Sequence, residues 1–204
     1  MTPAQPVTGL PPGTPVLTPA GERPVESLRP GDLVIAVSGM AAPFQVVTDI
    51  RRGLVAGPMV RIRAGALAEG APQLDLLLPA AHALLVDGAL LAAGALVDGW
   101  GVTAEPAAAT ELVAVVLAAH DALLAAGTAV ETALPEPGAP PCCPRAEPDG
   151  TLRALLDWRA EIMGWAPAAA IAPPAPVVGT LRARLSASPF LALQPLDLPI
   201  PRAG

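Results

Sequence analysis

The sequence of 204 residues contains no lysine, no asparagine and no tyrosine, and aromatic side chains make up only 2% of it. Hydrophobic residues nevertheless account for 52%, so the core has to be built from Ala, Val, Leu and Ile. A chain of this length holds one well-buried domain and an appendage. Two full domains are therefore not expected.

Positive charge is scarce and scattered. All 12 cationic side chains are arginines, the formal net charge is −6, and local basic pairs such as Arg51 with Arg52 and Arg61 with Arg63 are few. Proteins that follow the phosphates of a nucleic acid need a clustered basic face. The sequence therefore predicts no nucleic-acid partner.

Long apolar runs that could serve as a signal or a membrane span are also missing. Residues 1–7 have neither a charged region nor an apolar stretch, so we expect a cytoplasmic protein, or one exported without a cleavable signal peptide. The most hydrophobic window, residues 112–130, has His120 and Asp121 at its centre, where an ionisable residue costs about 2.5–3.5 kcal/mol on insertion. We predict no membrane span.

The only two cysteines, Cys142 and Cys143, are neighbours and cannot close a loop. Nothing in the sequence thus indicates an oxidising compartment.

From Thr14 to about Val130, short apolar runs alternate with Gly, Pro and Asp, which is typical of an all-β domain. We predict strands at residues 14–18, 33–37, 44–55, 59–63, 74–78, 83–86, 89–92 and 111–117. The strand at 33–37 is apolar on both faces and is expected to be central. Asp87-Gly88 is a strong hairpin signal. Residues 90–97 and 121–126 are rich in alanine, so a helix remains an alternative there.

The composition changes at Leu134. Residues 135–150 are proline-rich and are expected to form a linker. Asp149 can cap a helix over residues 151–163, with Leu152, Leu155, Leu156 and Ile162 on one face, and Gly164 would end it. The C-terminal extension, residues 151–204, is otherwise rich in proline, and at most one further short element is expected, around residues 180–185.

Three motifs occur in order between residues 9 and 134. Residues 13–34 read GTPVLTPAGERPVESLRPGDLV, residues 75–85 read DLLLPAAHALL, and residues 120–131 read HDALLAAGTAVE. Their order and spacing resemble the bacterial type of Hint (Hedgehog/intein) domain. The resemblance implies a β-rich horseshoe of short strands over residues 9–134, and the ancestral activity would be self-cleavage or protein splicing.

In that family, a cysteine four residues before a Gly-Thr pair attacks the preceding carbonyl, and a histidine three residues after a Ser or Thr protonates the leaving amide nitrogen. The matching run here is Gly9-Leu10-Pro11-Pro12-Gly13-Thr14, so Gly9 replaces the nucleophile. Pro79 replaces the Ser or Thr before His82. A terminal asparagine that could cyclise is also missing, because the chain contains none.

The resemblance assigns candidate catalytic roles to His82, His120 and Asp121. Each also has a simpler interpretation: His82 as a buried imidazole bonded to backbone, and His120-Asp121 as a polar turn. Thr8 and Thr14 are poor substitutes for the thiol, because Thr8 is out of register and a hydroxyl needs an adjacent base.

We expect neither a metal nor a cofactor. A zinc site would have to use His82, His120, Cys142 and Cys143, yet adjacent cysteines seldom bind one tetrahedral ion without strain. The sequence also lacks a glycine-rich phosphate loop and a Gly-x-Ser-x-Gly elbow.

Three functions remain open from the sequence. The first is a Hint domain that has lost self-cleavage and is not an active enzyme. The second is an active self-cleaving domain that uses a substitute hydroxyl, with His82 as acid or base. The third is an interaction module whose proline-rich C-terminal tail binds a protein partner. The oligomeric state is not predicted.

Overall fold

The computed structural model describes residues 8–39 and 41–166. These residues fall within one compact unit. The proline-rich stretch at 167–176, the possible element at 180–185 and the rest of the tail lie outside the described residues, as does the predicted partner-binding segment.

The described chain is built mainly from β-strands, which confirms the all-β prediction. The strands, in chain order, are β1 Pro15–Thr18, β2 Gly21–Pro24, β3 Leu33–Ile35, β4 Phe44–Ile62, β5 Leu76–Pro79, β6 Ala83–Val86, β7 Ala89–Ala92, β8 Val102–Leu117, β9 Ala122–Ala125, β10 Thr128–Glu131 and β11 Arg145–Ala146. The α-helix α1 spans Gly150–Ile162, so the predicted helix after the linker is also confirmed.

The strands form two open sheets. The first has the order β11-β7-β6-β10-β9-β1-β2, and in the second β4 pairs with β3, β5 and β8. Most pairs are antiparallel, whereas β11 adds to β7 in parallel. The buried side chains are mainly Val, Leu, Ile and Ala, as the composition requires. In the part of the chain that the structure describes, no helix is long and apolar enough to cross a membrane.

The tight turn between β6 and β7 is the one predicted from Asp87-Gly88. Asp87 and Gly88 have φ angles of 47° and 79°, and Val86 lies opposite Ala89. Two consecutive positive φ angles match the right-handed twist of a hairpin, which is why Gly and Asp are favoured there.

The strand at residues 33–37 is predicted to be central, but it lies at the edge of its sheet. β3 pairs with β4 at the end of its sheet, and the Leu33 side chain is 44% exposed. Beyond β3 the chain leaves this sheet, and the amide of Val37 donates to the carbonyl of Ala122 in β9. Residues 33–37 are therefore apolar on both faces because this segment connects the two sheets.

Long-range pairing joins strands that the sequence pattern separates. The predicted strands at 44–55 and 59–63 are both parts of β4, because β8 pairs along most of its length. A register shift between Gly57 and Met59 marks the expected break. Likewise, the predicted strand at 111–117 is the second half of β8, and two hairpin strands, β9 and β10, follow it.

The helical alternatives for the alanine-rich segments are wrong. Residues 90–97 form the end of β7 and a single 3-10 turn, Ala93–Leu96, while residues 121–126 contain β9. Alanine favours a helix intrinsically, but these segments are short and pair with neighbouring strands. Tertiary pairing therefore overrides local propensity.

The helix α1 begins and ends as the sequence predicts. The Asp149 carboxylate accepts a 2.8 Å hydrogen bond from the amide of Leu152, and Gly164 follows with a φ of 69°. A side-chain acceptor at the N-cap and a glycine after the last turn satisfy backbone groups that the helix leaves unpaired.

The face that α1 buries is narrower than predicted. Leu156 and Ala160 are buried, whereas Leu155 and Ile162 are exposed. The helix is anchored at its end, where Arg159 donates to the carbonyl of Gly65 at 2.6 Å. With α1 in this orientation, two of the expected inward residues face solvent.

Candidate functional site

Gly9 is held in place by backbone pairing of its neighbour with β8. The amide and carbonyl of Leu10 exchange hydrogen bonds of 2.9 and 2.8 Å with those of Val113. Leu10 is buried, so this bridge draws the start of the domain into the core. The Thr8–Gly9 peptide is thereby set against the second sheet.

His82 lies in the turn between β5 and β6 and faces this peptide. Its Nδ1 accepts a 3.1 Å hydrogen bond from the amide of Gly9. The side chain is 1% exposed. The turn that carries it is closed by the His82 amide, which donates to the carbonyl of Pro79 at 2.9 Å. Both expected features of His82, a buried imidazole and a backbone partner, are present.

The hydrogen bond defines the protonation state of His82. A nitrogen that accepts from an amide carries no proton, so the neutral tautomer has its proton on Nε2. Burial, partly opposed by Glu131, lowers the pKa of His82 from 6.5 to about 4. At neutral pH the imidazole is therefore an acceptor without positive charge.

Glu131, at the end of β10, joins the two histidines. Its Oε1 accepts a 2.7 Å hydrogen bond from the amide of Ala83, next to His82. Its Oε2 accepts a 2.6 Å hydrogen bond from Arg145 and lies 3.4 Å from Nε2 of His120. The carboxylate is fully buried. It is the central acceptor of the site.

The pKa of Glu131 reflects a balance of burial and partners. Burial acts to raise it, but His120, His82, the Ala83 amide and Arg145 together bring it below its ordinary value. A buried carboxylate stays ionised only when such partners compensate for lost hydration.

His120 lies at the end of β8 with its ring buried between β10 and the linker. Its Nδ1 accepts a 3.0 Å hydrogen bond from the amide of Cys142. The proton is thus on Nε2, the nitrogen that faces Glu131. The structure brings the turn that carries His82 and the loop that carries His120 to the same carboxylate.

Asp121, the third candidate, faces away from this group. Its Oδ1 accepts hydrogen bonds from the amides of Ser38 and Ala122 at 3.0 and 2.7 Å. Its own amide donates to Oγ1 of Thr132. Asp121 therefore links the end of β3, the start of β9 and the end of β10.

The two threonines near Gly9 have different surroundings. The Thr14 hydroxyl donates to the carbonyl of Pro11 at 2.7 Å and so closes a turn. Thr8, by contrast, borders a cleft of about 220 Å³. Only Thr8 lies at the site, one residue before Gly9.

The set of four residues considered for zinc is not assembled as a ligand sphere. Nδ1 of His82 and Nδ1 of His120 each accept from a backbone amide. Over residues 8–39 and 41–166, no group of three or more His, Cys, Asp or Glu side chains is arranged to hold a metal ion. Cys142 and Cys143 are free thiols. Burial and, to a smaller extent, the neighbouring Cys143 raise the pKa of Cys142 to about 12.

Two members of the site were missed from the sequence, Glu131 and Arg145. A single acidic residue ending an otherwise apolar strand signals a buried charge that needs a partner, so Glu131 had a detectable pattern. Arg145 had none, because it lies in the proline-rich linker and reaches the site only through the pairing of β11 with β7.

Comparison with known families settles the relationship of the chain. A family model described as "Hint domain" matches residues 8–137. The chain belongs to the Hint domain family. The match covers the three motifs and every residue of the site except Arg145.

Solved structures similar to this Hint domain include inteins. The gp41-1 intein has a TM-score of 0.47 and 14% identity over 61% of this chain and 98% of its own. A bacterial intein-like domain from Clostridium thermocellum has a TM-score of 0.47 and 14% identity over 62% and 99%. The MchDnaB-1 intein has a TM-score of 0.40 and 18% identity over 61% and 99%. A comparison with curated proteins gave no match.

Proposed function

We propose that this Hint domain no longer cleaves its own chain and acts as a non-catalytic binding domain. The observation that carries the proposal is the contact between the Gly9 amide and Nδ1 of His82 at 3.1 Å. One half of a cleavage site is kept, because an imidazole touches the nitrogen that would leave. The other half is missing, because residue 9 has no side chain.

The protonation of His82 also opposes cleavage. Release of the Gly9 nitrogen as an amine requires a proton from the histidine. With a pKa lowered to about 4, the imidazole is neutral at physiological pH, and its proton is on the nitrogen that does not face Gly9. His82 therefore holds the peptide in place without activating it.

Position 9 is shaped for glycine. A Cβ placed on Gly9 would lie 3.0 Å from Cβ of Leu112 and 3.4 Å from the carbonyl carbon of Val113. The backbone at Gly9 has a φ angle of 153°, which residues other than glycine rarely adopt. A side chain at position 9 would thus need a strained backbone and a shift of its neighbours.

A substitute hydroxyl does not fit the geometry. If Thr8 attacked the carbonyl before it, the leaving nitrogen would be that of Thr8, whereas His82 contacts the nitrogen of Gly9. The Thr14 hydroxyl is held by the carbonyl of Pro11. Self-cleavage through a displaced threonine is therefore the less supported function.

In this proposal, residues 9–134 form the Hint-like domain, residues 135–150 a linker and residues 151–204 a C-terminal extension. His82 and His120 position the Thr8–Gly9 peptide and Glu131, and Asp121 stabilises the strands around them. Neither a nucleic acid nor a metal is part of the function.

The test is a reporter protein fused ahead of Met1 of the full chain. The fusion is incubated with dithiothreitol or hydroxylamine and the products are weighed by mass spectrometry. We expect intact fusion under all conditions. Nucleophile-dependent cleavage either before Thr8 or between Thr8 and Gly9 would contradict the proposal, and its loss in a His82→Ala variant that remains folded would establish the active alternative.

A further inference from the structure

A cleft next to the Thr8–Gly9 peptide has the composition of a small binding site. It has a volume of about 220 Å³ and opens beside the middle of β4, the second half of β8 and the end of β10. This volume is about that of seven water molecules, at roughly 30 Å³ for each water in the liquid, and suits a small organic molecule.

The charged side chains that line the cleft are mostly positive. Arg51, Arg52 and Arg145 line it, together with one carboxylate, that of Glu131. The protein as a whole has a net charge of −6, so the charge around the cleft is opposite in sign to that of the whole protein. Such a reversal attracts an anion.

The arginines are held in position by protein acceptors. Arg52 donates to the carbonyl of Glu26 at 2.6 Å, and Arg51 to the carbonyls of Leu134 and Pro135. Arg145 donates to Glu131 at 2.6 Å. A planar guanidinium that is anchored on one edge presents its other donors in a set direction, which favours planar anions such as carboxylates.

A buried donor next to the cleft, Nε2 of His120, makes only a long contact with Glu131. The Nε2 atom of His120 is buried and carries the ring proton, yet it has no hydrogen-bond partner of good geometry among the described residues. Glu131 lies 3.4 Å away and is already bonded to Arg145 and the Ala83 amide. The His120 N–H is therefore only weakly satisfied, and a buried donor gains free energy from a better-placed acceptor.

Apart from Thr8 and Thr132, the remaining walls of the cleft are apolar. They include Val55, Leu112 and Leu134. A bare inorganic ion would leave these walls uncovered, whereas an aliphatic group attached to a carboxylate would contact them.

We propose that the cleft binds a small carboxylate carried on an aliphatic group, with Arg52 and Arg145 on the anion and His120 in the wall beside it. The ligand is either a free short-chain acid or the C-terminal end of a peptide. The proposal rests on the proposed function, since a cleft beside an uncut peptide bond stays available to an outside ligand.

The test compares two probes that differ only in charge, N-acetylvaline and N-acetylvalinamide. Each is titrated into the isotope-labelled full chain, and backbone amide shifts are followed by NMR. We expect saturable shifts with N-acetylvaline at the amide of Cys142, which reports on His120, and at residues 132–134. Equal binding of N-acetylvalinamide, or no saturation with the acid, would overturn the proposal.

A matched pair of variants locates the binding site. Arg52→Gln should weaken binding of N-acetylvaline by about tenfold, as expected when a charged hydrogen bond is lost. Arg29→Gln removes the same charge from an exposed position outside the cleft and should leave binding unchanged. Equal weakening by both variants would mean unspecific attraction and would overturn the proposal.

Two further probes identify the source of the carboxylate. An intact-mass measurement distinguishes a failure of this proposal from a failure of the proposed function. A tripeptide ending in valine that binds more tightly than N-acetylvaline indicates a peptide end, and equal or weaker binding indicates a free acid. Inorganic phosphate that displaces N-acetylvaline at equal concentration would contradict an aliphatic ligand. The intact mass of each sample shows whether the Thr8–Gly9 bond was cut, so a failure of binding is distinguished from self-cleavage.

Discussion

The amide of Gly9 donates a hydrogen bond to Nδ1 of His82, 73 positions away in the chain and 3.1 Å away in space. The bond places an imidazole on the nitrogen of the Thr8–Gly9 peptide. It also ties the first residues of the domain to the turn between β5 and β6. The same contact thus has a structural role whether or not any chemistry remains.

Restoring a thiol at position 9 should not restore cleavage. In Gly9→Cys, the new Cβ meets Leu112 at 3.0 Å and the backbone has a φ angle of 153°, so we expect the free energy of unfolding to fall by about 1–3 kcal/mol. Mass spectrometry after incubation with dithiothreitol should show an intact chain.

The matched variant is Gly13→Cys, where φ is also positive but nothing lies within 4 Å of the added Cβ. It should be less destabilising than Gly9→Cys. Thiol-induced cleavage before residue 9 would instead show that the loss of the cysteine alone silenced the domain.

His82 should make stability depend on pH. Its pKa is lowered from 6.5 to about 4 by burial, so the unfolded chain binds a proton before the folded chain does. The stabilisation is complete above about pH 6.5 and is lost as the pH falls towards about 4. The difference corresponds to roughly 3 kcal/mol at most.

Denaturant unfolding of the wild type and of His82→Gln across this range measures the effect. Carboxylates titrate in both proteins, so the difference between their slopes isolates the histidine. Parallel slopes would show that the imidazole is not held in its neutral form.

Removal of the Glu131 charge should destabilise the domain. Glu131→Gln leaves Arg145 and His120 without their anion at a fully buried position, and we expect a loss of about 1–3 kcal/mol in the free energy of unfolding. Glu136→Gln, at an exposed position, should change it by less than about 0.5 kcal/mol. Similar values for the two variants would rule out a central role for Glu131.

Asp121 should be important for stability rather than for chemistry. In Asp121→Ala, the amides of Ser38 and Ala122 lose this acceptor, and a loss of about 1–3 kcal/mol is expected. The exposed helical Asp157→Ala is the comparison and should have little effect. A stable Asp121→Ala variant would count against the structural assignment.

Features that depend on neighbouring residues could be predicted from the sequence. The β6–β7 turn follows from Asp87-Gly88, and the start of α1 follows from the Asp149 cap. His82 was predicted as part of a family motif, and its backbone partner and burial were expected. These signals are local, because turn geometry and capping use groups within a few residues.

Features that depend on pairing between distant segments could not be predicted. The continuity of β4 requires β8 beside it, and the edge position of β3 depends on where the chain leaves its sheet. The exposure of Leu155 and Ile162 depends on the orientation of α1.

The sequence alone determined the Hint motifs, the β-rich class and the absence of a nucleophile at position 9, because these are properties of residue type and spacing. Only the tertiary structure decided what surrounds that position. Leu112 closes the space beside Gly9, and Glu131 and Arg145 meet through strands from different parts of the chain. The physical reason is that strand register and side-chain direction, which are set by long-range hydrogen bonding, decide which buried groups become partners.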